Sequence, residues 1–339
     1  MTPVLEAAGL TKSFAVDRDL IGRTTRWVHA VRGVDLSVAR GETLAVVGES
    51  GSGKSTAGRL VLRLIEPDEG TIRVDGHDVR AYSRRELRRY RAKARMVFQD
   101  PYASLDRRMV VGDSVGEPLT VHRRLKGAAR RTVVEELFDR VGLKPDQLDR
   151  YPYEFSGGQL QRIAVARAIS TDPELIVCDE PVAALDMSIR AQVINLLHSI
   201  QEERDIAYVF ISHDLSLVRL IAHRIAVMFQ GRIVEVGGTA QIFHEPRHPY
   251  TKALVAAIPQ PDPARIRRRN MIPLTVEQPA VEVLGCDYAG RCPEVMDRCR
   301  LERPALRNAG GVEVACHLYE GGVAAVAGAG ETSDVPSHP

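Results

Sequence analysis

The sequence predicts an α/β protein organised on a mostly parallel sheet, and three observations carry that prediction. Residues Gly48-Glu49-Ser50-Gly51-Ser52-Gly53-Lys54-Ser55-Thr56 read as G-x-x-x-x-G-K-[ST], set between the apolar run Leu44 to Val47 and a helical pattern carrying Leu60 and Leu64. Two further apolar runs of strand length, Leu175-Ile176-Val177-Cys178 and Tyr208-Val209-Phe210-Ile211, end in Asp179-Glu180-Pro181 and Ser212-His213-Asp214. Helical periodicity lies between them, at Ile189, Val193, Leu197 and Ile200. Such sheets bind ligands at the C-terminal ends of their strands, where these polar clusters fall.

The remaining elements follow in order. Residues 4 to 15 and 30 to 47 suggest a β-rich opening in which Phe14 and Trp27 are the aromatics available to a base. Thr71 to Val74 is a short strand bracketed by Asp68-Glu69-Gly70 and Asp75-Gly76. Arg84 to Arg95 is a densely basic stretch, read as a solvated helix face, and Ala94 to Phe98 is a strand ending at Gln99. From 101 to 170 strand signals are lacking, and Ala128 to Val141 is amphipathic, so this stretch is a helical insertion. It closes on Glu154-Phe155-Ser156-Gly157-Gly158-Gln159 before a helix through Ile163, Val165 and Ile169. Ile225 to Phe229 and Arg232 to Val236 form a hairpin around Gln230-Gly231. Beyond residue 258, Pro259, Pro261, Pro263 and Arg265 to Arg269 read as a linker, and 321–339 as a disordered tail.

Composition limits the function. The 339 residues, 44% hydrophobic and 27% charged, suffice for one large or two ordinary globular domains. A net charge of +2 gives no broad positive field, so nucleic acid is not an expected partner. Met1 to Glu6 lacks a basic region followed by an apolar run, and no window reaches the length of a membrane span; the chain is expected to be neither secreted nor membrane-spanning. In that setting the five cysteines are not expected to form disulfides.

The chemistry starts at the glycine-rich loop. Glycines let backbone curl around phosphate oxygens, N–H groups at a helix start face the anion, and Lys54 adds positive charge, with Ser55 placed for Mg2+. A chance glycine-rich turn is the competing reading, and the strand and helix flanks argue against it. Asp179 and Glu180, at the end of an apolar strand, fit Mg2+ binding and general-base duty. Ser156-Gly157-Gly158-Gln159 offers glycines and a hydroxyl at a helix start, a second anion-binding surface far along the chain; a plain loop is the alternative.

In combination these residues resemble the ATP-binding subunit of an ABC transporter. The phosphate loop, Gln99, Phe155 to Gln159, Leu175 to Glu180, Ala183-Ala184-Leu185-Asp186 and His213 occur in that family's order across residues 5 to 240. The resemblance implies a P-loop NTPase fold with a mostly parallel core sheet, an antiparallel β subdomain and a helical subdomain. It also implies ATP and Mg2+, held between two head-to-tail subunits. By position, Gly48 to Thr56 cradle phosphates, Ser55, Gln99 and Asp179 serve Mg2+, Glu180 activates the attacking water sensed by Gln99, and His213 contacts the γ-phosphate. Ser156, Gly157, Gly158 and Gln159 would serve the opposite nucleotide, while Asp186 links the sites. Phe14 resembles the adenine-stacking aromatic, with Trp27 as rival and an ordinary core role open. Ala183 stands where Ser is usual, removing a hydrogen bond worth on the order of 1 kcal/mol. The family's permease-docking groove would lie near Gln99 to Asp106, with Tyr102 and Leu105 as contacts or as buried structural residues.

Glu245-Pro246-Arg247-His248-Pro249-Tyr250-Thr251 with Leu254, and Ala315-Cys316-His317-Leu318-Tyr319, resemble the extension of oligopeptide, dipeptide and nickel importer ATPases. The implied division is an ATPase domain over 1–258 and an extension over 259–320. The implied function is ATP-driven peptide import at the cytoplasmic face of the inner membrane. Its partners would be a paralogous second ATPase subunit, two integral-membrane permeases and an extracytoplasmic binding protein. Import of nickel or another small solute, or a non-transport ABC ATPase, are the alternatives; the latter is disfavoured by the lack of a coiled-coil insertion, a second cassette or a basic surface. Cys178 reads as core packing. Cys286, Cys292, Cys299 and Cys316, spaced C-x5-C-x6-C-x16-C, lack the close pairs usual for structural zinc and suit a four-iron four-sulfur cluster better, with zinc or free thiols as alternatives.

Overall fold

The structure is a computed structural model and describes residues 3–18, 24–258 and 284–320. The expected linker at Pro259 to Arg269 and the tail over 321–339 lie outside the described residues.

Two sheets form along the chain. Strand β1 (Pro3–Arg18) pairs antiparallel with β2 (Thr24–Ala39), and after β3 (Thr43–Val47) and α1 (Lys54–Val61) the strands β4 (Glu69–Val74) and β5 (His77–Asp78) complete a four-stranded sheet of order β2-β1-β4-β5. Helix α2 (Arg84–Lys93) leads into β6 (Ala94–Val97). The helical insertion then contains α3 (Pro101–Ser104), α4 (Val111–Pro118), α5 (Gly127–Arg140) and α6 (Gly157–Ile169). Strand β7 (Leu175–Asp179), α7 (Met187–Arg204), β8 (Ala207–Ser212), α8 (Leu215–Ile221), β9 (Arg224–Phe229) and β10 (Arg232–Gly238) follow. After α9 (Thr239–His244) and α10 (Pro249–Ala256), strands β11 (Arg307–Ala309) and β12 (Val312–Val314) extend the core sheet, whose order is β11-β12-β10-β9-β3-β8-β7-β6.

Strands β6, β7, β8, β3 and β9 run parallel, and β10, β12 and β11 antiparallel. Every residue of β3, β7 and β8 is buried, as expected of strands covered on both faces. Each buried Val, Leu or Ile there contributes on the order of 2 kcal/mol. One core lies between this sheet and the helical insertion, built on Phe138, Leu160, Ile163, Phe210 and Tyr208; the other lies against the antiparallel sheet, built on Leu5, Leu10, Leu44, Leu60 and Ile72.

The basic stretch is helical and largely exposed, opened by a capping box in which Ser83 and Glu86 satisfy each other's backbone amides. Leu64 departs from expectation. Helix α1 ends at Val61 because Arg63 turns left-handed (φ +48°), its guanidinium bonded to the carbonyls of Val79 and Tyr82, so Leu64 lies past the helix and is exposed.

Candidate functional site

The phosphate loop joins β3 to α1, and its shape depends on two glycines. Gly48 (φ +152°) and Gly53 (φ +100°) press against neighbouring backbone: a Cβ would stand 2.1 Å from the Met228 carbonyl oxygen at the first and 2.0 Å from that of Ala30 at the second. Inside the curl, Lys54 is buried and donates to the carbonyls of Gly48 (2.9 Å) and Glu49 (2.7 Å) and to Ser52 Oγ (3.3 Å). Burial lowers the Lys54 pKa, opposed by the negative charges of Glu180, Asp179 and Glu49. Gly51 and Ser50 are exposed at the open side of the loop, and Thr56 lies partly covered behind it.

Two carboxylates face this loop from the end of β7. Ser55 Oγ donates to Asp179 Oδ1 at 2.6 Å, and Arg59 stands 3.9 Å from the same carboxylate. Burial pushes the Asp179 carboxyl up, against that hydrogen bond and the guanidinium charge. A hydroxyl beside a buried carboxylate is an oxygen donor pair suited to Mg2+. Glu180 adopts a left-handed backbone (φ +46°), uncommon for a non-glycine residue and costly by on the order of 1 kcal/mol; its N–H donates to the Ile211 carbonyl of β8 (3.0 Å). The kink sets its carboxylate between Gln99 Nε2, which donates to Oε2 at 3.1 Å, and His213 Nδ1, 3.0 Å from Oε1. Gln99, Asp179, Glu180 and His213 thus meet at the adjacent ends of β6, β7 and β8.

The other site residues lie apart from this group. Ser156 caps α6: its Oγ accepts from the Gln159 amide (3.4 Å) while Gln159 Oε1 accepts from the Ser156 amide (3.0 Å). Gly158 lets α6 approach α7 closely, since a Cβ there would come 2.4 Å from Ile189 Cγ2, whereas one on Gly157 would make an ordinary contact with Leu185 at 3.7 Å. Among the described residues, none of the hydrogen-bond partners of Ser156 belongs to the phosphate loop. Asp186 is exposed at the start of α7, after a turn whose Ala183 and Leu185 carbonyls accept from Arg190. On the β1–β2 ribbon Phe14 pairs with Val28 and Trp27 with Ala15, so the two aromatics point to opposite faces, both exposed. Leu105 is buried, which assigns it to the core; Tyr102 is exposed and donates its hydroxyl to the Phe155 carbonyl (3.3 Å).

Residues 31–183 match the family model described as ABC transporter. The chain is also 46% identical over 321 residues to a putative oligopeptide transport ATP-binding protein of Bacillus subtilis, covering 94% of this chain and 96% of that one. The chain belongs to the ABC transporter family. It is an ATP-binding subunit of that family, an ATPase with ATP as substrate and Mg2+ as companion ion. A second model, oligopeptide/dipeptide transporter C-terminal region, matches residues 234–299 of this ABC ATPase. A probable peptide ABC transporter ATP-binding protein of Sinorhizobium fredii is 45% identical over 93% of this chain and 90% of that one. Among solved structures, a dimeric ATP-binding cassette bound to ADP and Pi superposes with TM-score 0.62 at 27% identity, covering 69% of this chain and 98% of that chain.

In the ABC ATPase the C-terminal residues reach the phosphate loop, a feature the sequence reading missed. Glu49 accepts both guanidinium nitrogens of Arg291 (3.1 and 2.7 Å), and its backbone N–H donates to Tyr250 Oη (2.9 Å). These contacts span 242 and 201 positions, and no local pattern signals them. Cys286, Cys292, Cys299 and Cys316 line one narrow cavity together with His248, Tyr288 and His317. None of the four is in a disulfide; burial raises the pKa of Cys286 and Cys292 and pushes Cys316 up to about 11. Among the described residues, no three His, Cys, Asp or Glu side chains converge as ligands of a single ion. Cys178 is buried in β7, in keeping with core packing, and no helix among the described residues is long and apolar enough to cross a membrane.

Proposed function

We propose that this ABC ATPase powers uptake of di- and oligopeptides from the cytoplasmic face of the inner membrane. It would pair with a paralogous second ATPase subunit beneath two integral-membrane permeases supplied by an extracytoplasmic binding protein. The observation that carries the reading is the match of residues 234–299 to the oligopeptide/dipeptide transporter C-terminal region, on a chain whose relatives are named for peptide transport. The ATPase domain is assigned to 1–258 and the extension to 259–320. Recovery of the chain with integral membrane proteins supports this function, and recovery with ribosomes or DNA overturns it.

The site roles follow from the chemistry of the groups. Lys54 turns from its own loop carbonyls to the phosphates of ATP, where its charge is better opposed than by neutral oxygens. Ser55, Asp179 and Gln99 hold Mg2+, which when bound offsets phosphate charge. Glu180 takes a proton from the attacking water at its carboxylate, oriented by Gln99 and His213. Ser156 to Gln159 serve the nucleotide of the second subunit, a reading supported by hydrogen bonds of Ser156 that stay with Gln159 and do not involve the phosphate loop of the same chain, and Asp186 joins the two sites. Phe14 stacks on adenine.

For the cysteines we infer a four-iron four-sulfur cluster. Support comes from four thiols that line one cavity at sequence spacings wider than the close cysteine pairs usual for structural zinc. The cluster would supply cohesion or redox sensing to a module with little core of its own. Anaerobically purified protein should be brown and carry about four irons per chain. Colourless protein with one zinc refutes the cluster.

A further inference from the structure

The phosphate loop is gripped from outside by residues with no place in the ATP chemistry above. Arg291 lies between Cys286 and Cys292 and meets the Glu49 carboxylate with two nitrogens, a bidentate pair that fixes orientation as well as charge. Its guanidinium is also within 5.7 Å of the Phe229 ring and 5.6 Å of the Tyr288 ring. Tyr250 is buried against the same two rings, at 4.6 and 5.4 Å, and accepts the Glu49 N–H. Phe229 ends β9, the parallel neighbour of β3, so the grip is anchored on the strand beside the loop. Asp287 fastens the module by ion pairs to Arg32 (3.0 Å) and Arg232 (3.3 Å).

We propose that Arg291 of the cysteine-bearing segment and Tyr250 of α10 are positioning residues for the phosphate loop, through which the region after β10 sets nucleotide affinity. Glu49 places a carboxylate in the loop that must receive polyanionic ATP, and Arg291 neutralises and holds it. Without Arg291 the carboxylate stands unpaired beside the phosphates, a like-charge contact that disfavours ATP binding. The pair is partly exposed, so its loss is worth about fivefold in affinity. Loss of the Tyr250 hydroxyl frees the loop backbone and acts in the same direction. The inference rests on the ATP reading of the loop.

The test is titration of the full chain with a fluorescent ATP analogue, alongside steady-state hydrolysis. Arg291→Ala should raise Kd and KM about fivefold with kcat within about twofold, and Arg291→Lys should recover part of the loss. Glu49→Gln in the Arg291→Ala background should restore part of the lost affinity, because the unpaired carboxylate is gone while the lost grip on the loop is not replaced. Tyr250→Phe, which keeps the ring packing, should raise Kd about threefold. Unchanged Kd in both Arg291→Ala and Tyr250→Phe, or failure of Glu49→Gln to restore any of the loss, overturns the proposal while wild-type binding preserves the ATP reading. A wild type that binds no nucleotide removes both.

Discussion

Glu180→Gln isolates the proton-accepting step. The amide has nearly the shape of the carboxylate, and the left-handed turn that aims it is held by backbone bonds to Ile211 and Ala183, so geometry at residue 180 survives. It loses basicity. The wild-type carboxylate accepts from Gln99 at 3.1 Å and faces His213 at 3.0 Å with a charge free to take a proton from water; an amide cannot. General-base catalysis is worth about a hundred- to ten-thousandfold, on the order of 3–5 kcal/mol of barrier. Phosphate release should fall by at least about a hundredfold while MgATP affinity stays within about threefold, since Lys54, Ser55 and Asp179 are untouched. ATP-bound dimers should accumulate, visible by size-exclusion chromatography with light scattering. Turnover within about threefold of wild type would refute Glu180 as the base.

Gly158→Ala drives a methyl into Ile189 and pries the start of α6 from α7, at a cost of about 1–3 kcal/mol. A drop of a few degrees in melting temperature together with reduced hydrolysis is expected, and an unchanged melt contradicts the close approach. Glu235 is fully buried on β10 and accepts from the amides of Arg247 (2.7 Å) and His248 (2.9 Å), tying the chain after α9 to the core sheet. Glu235→Ala leaves both donors unpaired and should cost about 3 kcal/mol in urea unfolding, with Glu235→Gln milder because it keeps an acceptor; equal effects of the two would contradict this role.

The core sheet was readable because β3, β7 and β8 are buried on both faces and therefore uninterrupted in apolar residues, and their polar successors fall at strand ends. Lys54, Asp179, Glu180 and His213 were readable for the same reason: each lies within two positions of such a strand or in a glycine motif. Leu64 misled because the left-handed turn at Arg63 depends on carbonyls of Val79 and Tyr82, which helical periodicity cannot register. The grip of Arg291 and Tyr250 on Glu49 was invisible because it is a meeting of distant segments, each locally ordinary. Neither aromatic at the ribbon could be preferred from composition, and the register shows that Phe14 and Trp27 point to opposite faces.

Peptide uptake by intact cells should depend on ATP hydrolysis by this chain. Deleting this chain from its host should abolish accumulation of a radiolabelled tri- or tetrapeptide while free amino-acid uptake continues, and wild type but not Glu180→Gln should restore it. Peptide uptake that survives the deletion, or that Glu180→Gln restores in full, would show that ATP hydrolysis by this chain does not power peptide import.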